Sequence, residues 1–413
     1  MKKVKAVLIG AGGRGQYSYA PYALQNPTEL EFVAVAEPRE FLRNQFVKTY
    51  HIKPEFAFQS WEDALAAGAI ADCVLICTQD TMHVEPAIAA IKAGYKHILL
   101  EKPIDPNIEN SKRLAKFAKE NNVNVQICHS LRYTPYFRKL KEILDSKKIG
   151  DIVNIIHTEG VGFYHHAHSY VRGDWANTEM SSPMILAKCC HDMDLIIYLT
   201  GKNCVSLSSY GELTHFTFEN APEGSTERCI DGCKVRESCP YNAVKIYNEH
   251  KDFRRLACDK EGFSDLSEAL KEGRYGRCVY RCDNDVVDHQ TVNILLEDGI
   301  TVVLTMSAFS RRIGRDIRIM GTKGEIVGSM EDSIIEIYDF ATGNYEVIKV
   351  HHSDAGHSGA DEILMRDFVR MVASGEKGVS DIELSLQSHA MCHAAEISRK
   401  ENRVVYLSEI LKD

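Results

Sequence analysis

The run Gly10-Ala11-Gly12-Gly13-Arg14-Gly15 restricts the fold of this chain more than any other stretch. It follows directly on the apolar run Val4 to Ile9, which reads as a buried strand, and it opens a helical segment. A second apolar run, Phe32 to Ala36, ends in Glu37, 22 residues beyond Gly15. Strand, glycine turn, helix, strand and acid, in that order, make a dinucleotide-binding fingerprint. Gly10 permits the tight turn, Gly12 lets the backbone approach a pyrophosphate, and Gly15 lets the helix lie close on the strand. Gly13 and Arg14 complete the loop, and the free N–H groups of the helix start face the phosphates. A carboxylate at Glu37 accepts hydrogen bonds from a ribose and repels a 2′-phosphate. NAD is therefore expected, with NADP kept open by the positive charge of Arg39.

The rest of residues 1–130 keeps the βαβ rhythm. Helices are expected over Pro38 to Tyr50, Trp61 to Ala67 (capped by Ser60), Thr81 to Ala93 and Asn107 to Asn121. Strands are expected over Asp72 to Thr78, Lys96 to Leu100 and Asn124 to Cys128. Pro21 lies inside the first helix and should kink or shorten it. A crossover helix, Thr134 to Ser146, leads to a region of different rhythm. There Asp151–Thr158, Cys204–Gly211, Val286–Glu297, Ile300–Ser307, Asp316–Gly321, Gly324–Ser329, Ile334–Tyr338 and Tyr345–Val350 read as strands, some joined by hairpin signals such as Asp298-Gly299. The expected architecture is an α/β Rossmann domain, a doubly wound parallel sheet, over 1–130. An α+β domain with a large, mostly antiparallel open sheet follows over 131–413. Two helices, about Ala360 to Ala373 and Asp381 to Arg399, end the chain.

Composition narrows the function. The 49 basic and 58 acidic residues give a net charge of −9, which offers no field for nucleic acid or an anionic membrane. No apolar run nears the ~18 residues of a membrane span. The chain starts in its first strand, giving the expectation of a cytoplasmic protein without a signal peptide. An open sheet face needs covering, so a homodimer or homotetramer through the C-terminal sheet is expected.

Several segments together carry a recognisable pattern. These are AVLIGAGGRG, Thr78 to Gly94 (TQDTMHVEPAIAAIKAG), Glu101-Lys102-Pro103, His191-Asp192-Met193-Asp194, Arg318 to Glu325 (RIMGTKGE) and the C-terminal helix. In them the chain resembles the Gfo/Idh/MocA family of nucleotide-dependent oxidoreductases over almost its whole length, apart from a cysteine-rich insertion near 213–284. The resemblance implies oxidation or reduction of one carbinol of a sugar or cyclitol. It also implies cofactor contacts from Thr78, Glu101 and Lys102 beside those of the glycine loop.

Hydride removal from a secondary alcohol needs a base, an electrophile for the developing alkoxide and a nicotinamide face. Lys102 follows a parallel strand at the sheet edge where such ligands bind, and its ammonium can neutralise the alkoxide. Glu101 is expected to position it. His191 opens an apolar-periodic helix and, on the family pattern, accepts or relays the proton. Many related sugar dehydrogenases carry an Asp four residues before this His. Here that place is Ala187, so either His191 works with Lys102 alone or Lys188 and Asp194 rearrange the site.

The run Tyr164 to Trp175 contains His165, His166, His168, Tyr170, Arg172 and Trp175. Its donors, acceptors and flat faces suit a polyhydroxylated ligand, with a structural loop or a metal site as alternatives. Arg132 and Tyr133 are candidates at the cofactor–substrate border. His83 reads as structural.

Six of the thirteen cysteines fall in the insertion: Cys229, Cys233, Cys239, Cys258, Cys278 and Cys282, spaced x3, x5, x18, x19 and x3. In a reducing compartment such packing argues for structural Zn²⁺ held by Cys229, Cys233 and Cys239 with Cys282 or Cys278. An iron–sulfur cluster and free thiols are the alternatives. Three functions remain open: a sugar or cyclitol dehydrogenase, a redox-neutral glycosidase or lyase working through a transient keto-sugar, and a dinucleotide-binding sensor.

Overall fold

The computed structural model describes residues 2–259, 262–351, 359–376 and 378–412. The first unit is a six-stranded parallel sheet in the order β3-β2-β1-β4-β5-β6. It comprises β1 (Val4–Ile9), β2 (Leu30–Ala36), β3 (Ala57–Phe58), β4 (Cys73–Ile76), β5 (His97–Leu100) and β6 (Asn124–Ile127). Its helices are α1 (Pro21–Gln25), α2 (Glu40–Tyr50), α3 (Trp61–Ala66), α4 (Val84–Lys92) and α5 (Ile108–Glu120). β1 is buried on both faces because its apolar residues split between two cores. Ala6 and Leu8 enter one, Val7 and Ile9 the other.

The helix after the glycine loop is broken, as Pro21 requires. A single π-turn over Gly15–Tyr19 ends at Ala20, and α1 restarts with Pro21 in its first turn. Ser60 and Asn107 cap α3 and α5 by accepting the Asp63 and Glu109 N–H groups. β3 was not expected, because two residues carry no readable period.

The second unit opens with α6 (Pro135–Asp145), β7 (Ile152–Gly160), α7 (Phe163–His166), α8 (Met184–Ala187), α9 (Cys190–Thr200) and β8 (Cys204–Glu212). The insertion adds α10 (Ala243–Glu249), α11 (Lys251–Asp259) and α12 (Leu266–Glu272). Then come β9 (His289–Leu296), β10 (Thr301–Ser307), β11 (Gly314–Gly321), β12 (Gly324–Ser329), β13 (Ile334–Asp339) and β14 (Tyr345–Lys349). α13 (Ala360–Ser374), α14 (Ile382–Glu401), β15 (Val405–Tyr406) and α15 (Leu407–Leu411) close the chain.

The nine strands run β14-β13-β12-β11-β7-β10-β9-β8-β15, all antiparallel except the β7–β10 pair. The β9–β10 hairpin turns through Asp298 and Gly299, both at positive φ. One face of the sheet packs on α6, α9 and α14. On the other, Ile156, Leu295 and Val327 remain 39–45% exposed.

Two features depart from the sequence reading. The insertion has a small core of its own, with Phe216, Tyr241, Ile246, Tyr247, Leu270 and Tyr275 packed on Ala167 and Val171. And α13, though late in the chain, packs Leu364, Met365, Phe368 and Val369 into the same core as β1 Leu8. No helix among the described residues is long and apolar enough to cross a membrane.

Candidate active site

The glycine loop has the shape a dinucleotide needs. Gly10 sits at φ +90°, and a Cβ there would stand 2.6 Å from the Cys77 carbonyl oxygen; one on Gly15 would stand 2.3 Å from the Gly10 carbonyl. Gly10→Ala should therefore cost roughly 1–3 kcal/mol of backbone strain and weaken NAD binding, read by thermal melting and cofactor fluorescence titration. Glu37, 1% exposed, closes the loop from β2, accepting the Ala11 N–H at 2.9 Å and Arg39 Nε at 2.7 Å. Arg14 reaches away from the loop, to Glu101 (2.8 Å) and to Asp361 of α13 (2.9 Å). It ties the loop to the rest of the fold through these two carboxylates.

Lys102 lies just past β5. Its backbone N–H donates to Glu101 Oε2 at 3.0 Å, and its Nζ donates to the Ala187 carbonyl at 2.8 Å. Burial alone would raise the Glu101 carboxyl; the charges of Arg14 and Lys102 overcome it and hold the group below its usual range. The ammonium is thus anchored at the turn from α8 into α9, where His191 stands, 8% exposed. His83 bridges the Pro103 and Thr78 carbonyls (2.6 and 3.2 Å), while Thr78 Oγ1 donates to the Met82 carbonyl.

Lys188 pairs with Glu159 Oε1 at 3.0 Å. From there a buried ion-pair chain runs on: Glu159 to Arg315 (2.8 Å), Arg315 Nε to Asp192 (2.7 Å), and His157 Nε2 to Asp192 (2.8 Å). Burial would raise Asp192, but Arg315 and His157 hold it well below the carboxylate range. Burial raises Glu159, with Arg315 and Lys188 pulling the other way. β7 brings a carboxylate to Lys188 from a distant part of the chain, where the local sequence has only Ala187. The signal was present: along β7, His157 and Glu159 alternate with exposed residues at inward positions, where polar side chains need a reason.

Two further residues escaped the sequence reading. His129, fully buried after β6, packs edge-on against His191 (centroids 5.7 Å apart), and neither ring nitrogen finds a hydrogen-bond partner among the described residues. Burial, then the charges of Arg132 and Lys102, push its pKa well below normal, so the ring is neutral. Asp80, after β4, accepts from Trp175 Nε1 (3.1 Å), Ser181 (3.2 Å) and Ser182 (3.0 Å), joining the two units at the cleft.

Other expected contacts lie elsewhere. Arg132 forms a two-pronged pair with Asp194 (2.5 and 2.7 Å), which occupies both partners. Tyr133 is core, bonded to Gln126 and Ser380. His166 stacks on Phe216 and Tyr170 inside the insertion interface. Arg172 is fully buried and donates to the Arg277 and Tyr241 carbonyls, far from a sugar-binding role. Of the polar run, Trp175 reaches the cleft through Asp80, while His165 stacks on Phe253 of α11 and Tyr170 lies against His165 and His166. The zinc expectation also fails as posed. Among the described residues no three His, Cys, Asp or Glu side chains stand at single-ion spacing. Cys282, one of the expected ligands, instead turns its thiol to the Cys278 carbonyl at 3.3 Å.

Family models agree with this geometry. Residues 4–129 match the NAD-binding Rossmann fold of the GFO_IDH_MocA oxidoreductase family, and residues 141–407 match its C-terminal alpha/beta domain. The chain belongs to the Gfo/Idh/MocA oxidoreductase family. YteT of Bacillus subtilis (strain 168), which bears a provisional oxidoreductase name, is 22% identical over 82% of this chain and 81% of its own length. Inositol 2-dehydrogenase of Corynebacterium glutamicum (strain R) is 28% identical over 37% of this chain and 41% of its own. The 2,7-anhydro-N-acetylneuraminate hydratase of Escherichia coli (strain K12) is 28% identical over 34% and 36%. The chain thus spans under half the length of these last two relatives. Among solved structures, scyllo-inositol dehydrogenase from Lactobacillus casei, with NAD(H) and scyllo-inositol bound, shares the fold. Its TM-score is 0.68 at 18% identity, covering 98% of this chain and 100% of that one.

Proposed function

We propose that this protein moves a hydride between NAD(H) and a secondary hydroxyl of a sugar, sugar derivative or cyclitol. The observation that carries the reading is the Lys102 ammonium, set at the edge of the dinucleotide sheet and held 2.8 Å from the Ala187 carbonyl at the turn leading to His191. The glycine cradle and Glu37 fit NAD, and bound NAD(H) gives or takes the hydride. Lys102 holds the alcohol oxygen and neutralises its charge as the proton leaves. His191 accepts that proton, and Lys188, paired with Glu159, offers a second cation to a neighbouring hydroxyl.

The likeness to a hydratase, together with Ala187 in place of an acid, favours a second reading. In it the same site oxidises a sugar only transiently, eliminates a leaving group and takes the hydride back. Incubation with NAD and a panel of free sugars and cyclitols separates the two. Net NADH formation is expected. Aglycone release from a nitrophenyl glycoside without net NADH would replace the first reading by the second. Tight NAD binding with no turnover on either panel would leave a sensor. The exposed face carrying Ile156, Leu295 and Val327 supports pairing with a second copy, which sedimentation equilibrium tests.

A further inference from the structure

We propose that Cys229, Cys233, Cys239 and Cys278 hold an iron–sulfur cluster of the [4Fe–4S] type, one iron to each thiolate, with Arg172 as its buried counter-charge. These four cysteines and Arg172 wall one cavity, closed on its other sides by Val235, Tyr241, Val279 and Tyr280 among others. The cavity measures about 20 Å³, more than the ~10–15 Å³ one water needs.

That space decides against a single zinc. Four sulfurs about 2.3 Å from one ion would touch one another and leave no room for a water-sized sphere. A cavity walled by four cysteine residues, with no three of them gathered to hold one ion among the described residues, suits a cluster, where each sulfur binds its own metal atom.

The surroundings are those of sulfur carrying negative charge. One of the thiols, Cys229, receives a backbone N–H, from Ala243 at 3.5 Å. Such bonds to sulfur are a device that sets the properties of thiolate-held clusters. Arg172 is fully buried. Its NH2 donates to Cys229 Sγ at 3.7 Å and its NH1 finds no acceptor among the described residues. A buried guanidinium so placed needs an anion, and a thiolate-ligated cluster is one.

The cluster also has a job in the fold. Its ligands lie on either side of α10, α11 and α12 in sequence, and α11 reaches the glycine loop. Leu256 stands 3.9 Å from where a Cβ on Gly13 would lie, and Arg255 covers the Tyr17 ring at 5.0 Å. Holding both ends of the insertion therefore holds the cover of the cofactor cleft.

The full chain, purified without oxygen and reconstituted with ferrous iron, sulfide and a thiol reductant, should retain about four iron and four sulfide per chain after gel filtration. It should also show broad visible charge-transfer absorption. Cys278→Ser should lose that absorption and weaken NAD binding; Cys282→Ser and Cys258→Ser should keep it. Stoichiometric zinc without sulfide, no retained iron, or a cluster that survives Cys278→Ser but not Cys282→Ser would each overturn the assignment. Should Cys278→Ser fail to fold, the iron, sulfide and zinc contents of the unmutated protein decide alone.

Discussion

Lys102→Ala is expected to lower kcat by roughly 10²–10⁴-fold, the span one positioned acid–base group contributes, while NAD(H) still binds. The side chain is half-buried and its Nζ donates to the Ala187 carbonyl, a single contact, among the described residues, whose loss should cost the fold little. Glu101, which orients the residue, stays bonded to Arg14 and Tyr19. What disappears is the positive charge facing the oxygen that becomes an alkoxide, and that charge matters only along the reaction path. Steady-state rates beside fluorescence titration of NADH make the measurement. An unchanged kcat, or a loss of cofactor binding equal to the loss of rate, would remove Lys102 from the proposed role.

Arg315→Met should destabilise the protein by about 3–5 kcal/mol at neutral pH, the usual penalty for breaking a buried ion pair from one side. The arginine serves two buried carboxylates, Glu159 and Asp192, and among the described residues Lys188 and His157 are the partners left to them without it. The pH dependence has a definite sign. In the unaltered protein Asp192 is held below its unfolded pKa, so its stabilisation is complete above the ordinary carboxylate range and lost in acid. Without Arg315, burial dominates: the folded pKa of Asp192 rises above the unfolded one, and that of Glu159, already raised, goes higher still. The deficit should then shrink as pH falls toward those raised values, because protonation removes the uncompensated charges. Urea denaturation at roughly pH 7 and pH 5 reads this directly, and a deficit that grew in acid would refute the account.

The dinucleotide sheet was legible because its signals are local: a glycine turn, a two-faced apolar strand, an acid at the next strand's end. The antiparallel strands were legible for the same reason, since period-two alternation survives without knowledge of partners. Glu159, Asp192 and Arg315 were not, because their meaning lies in a meeting of β7, α9 and β11 that no window of sequence contains. Arg172 and Tyr133 misled in the opposite way. Each sits in a polar, aromatic stretch that looks ligand-facing, yet the insertion core claims one and the α13–α14 connection the other. The cysteine spacing announced that thiols gather, but only the turn at 278–282 tells which of two neighbours faces the cavity.

The placement of α13 bears on how the molecule is made. While the ribosome is still producing the first 130 residues, the sheet they encode lacks one wall: Leu364, Met365, Phe368 and Val369 are hundreds of codons away. Asp361, which clasps Arg14 beside the glycine turn, arrives with them. A nascent chain therefore cannot finish its amino-terminal unit independently, and maturation of that unit waits until α13 has been translated.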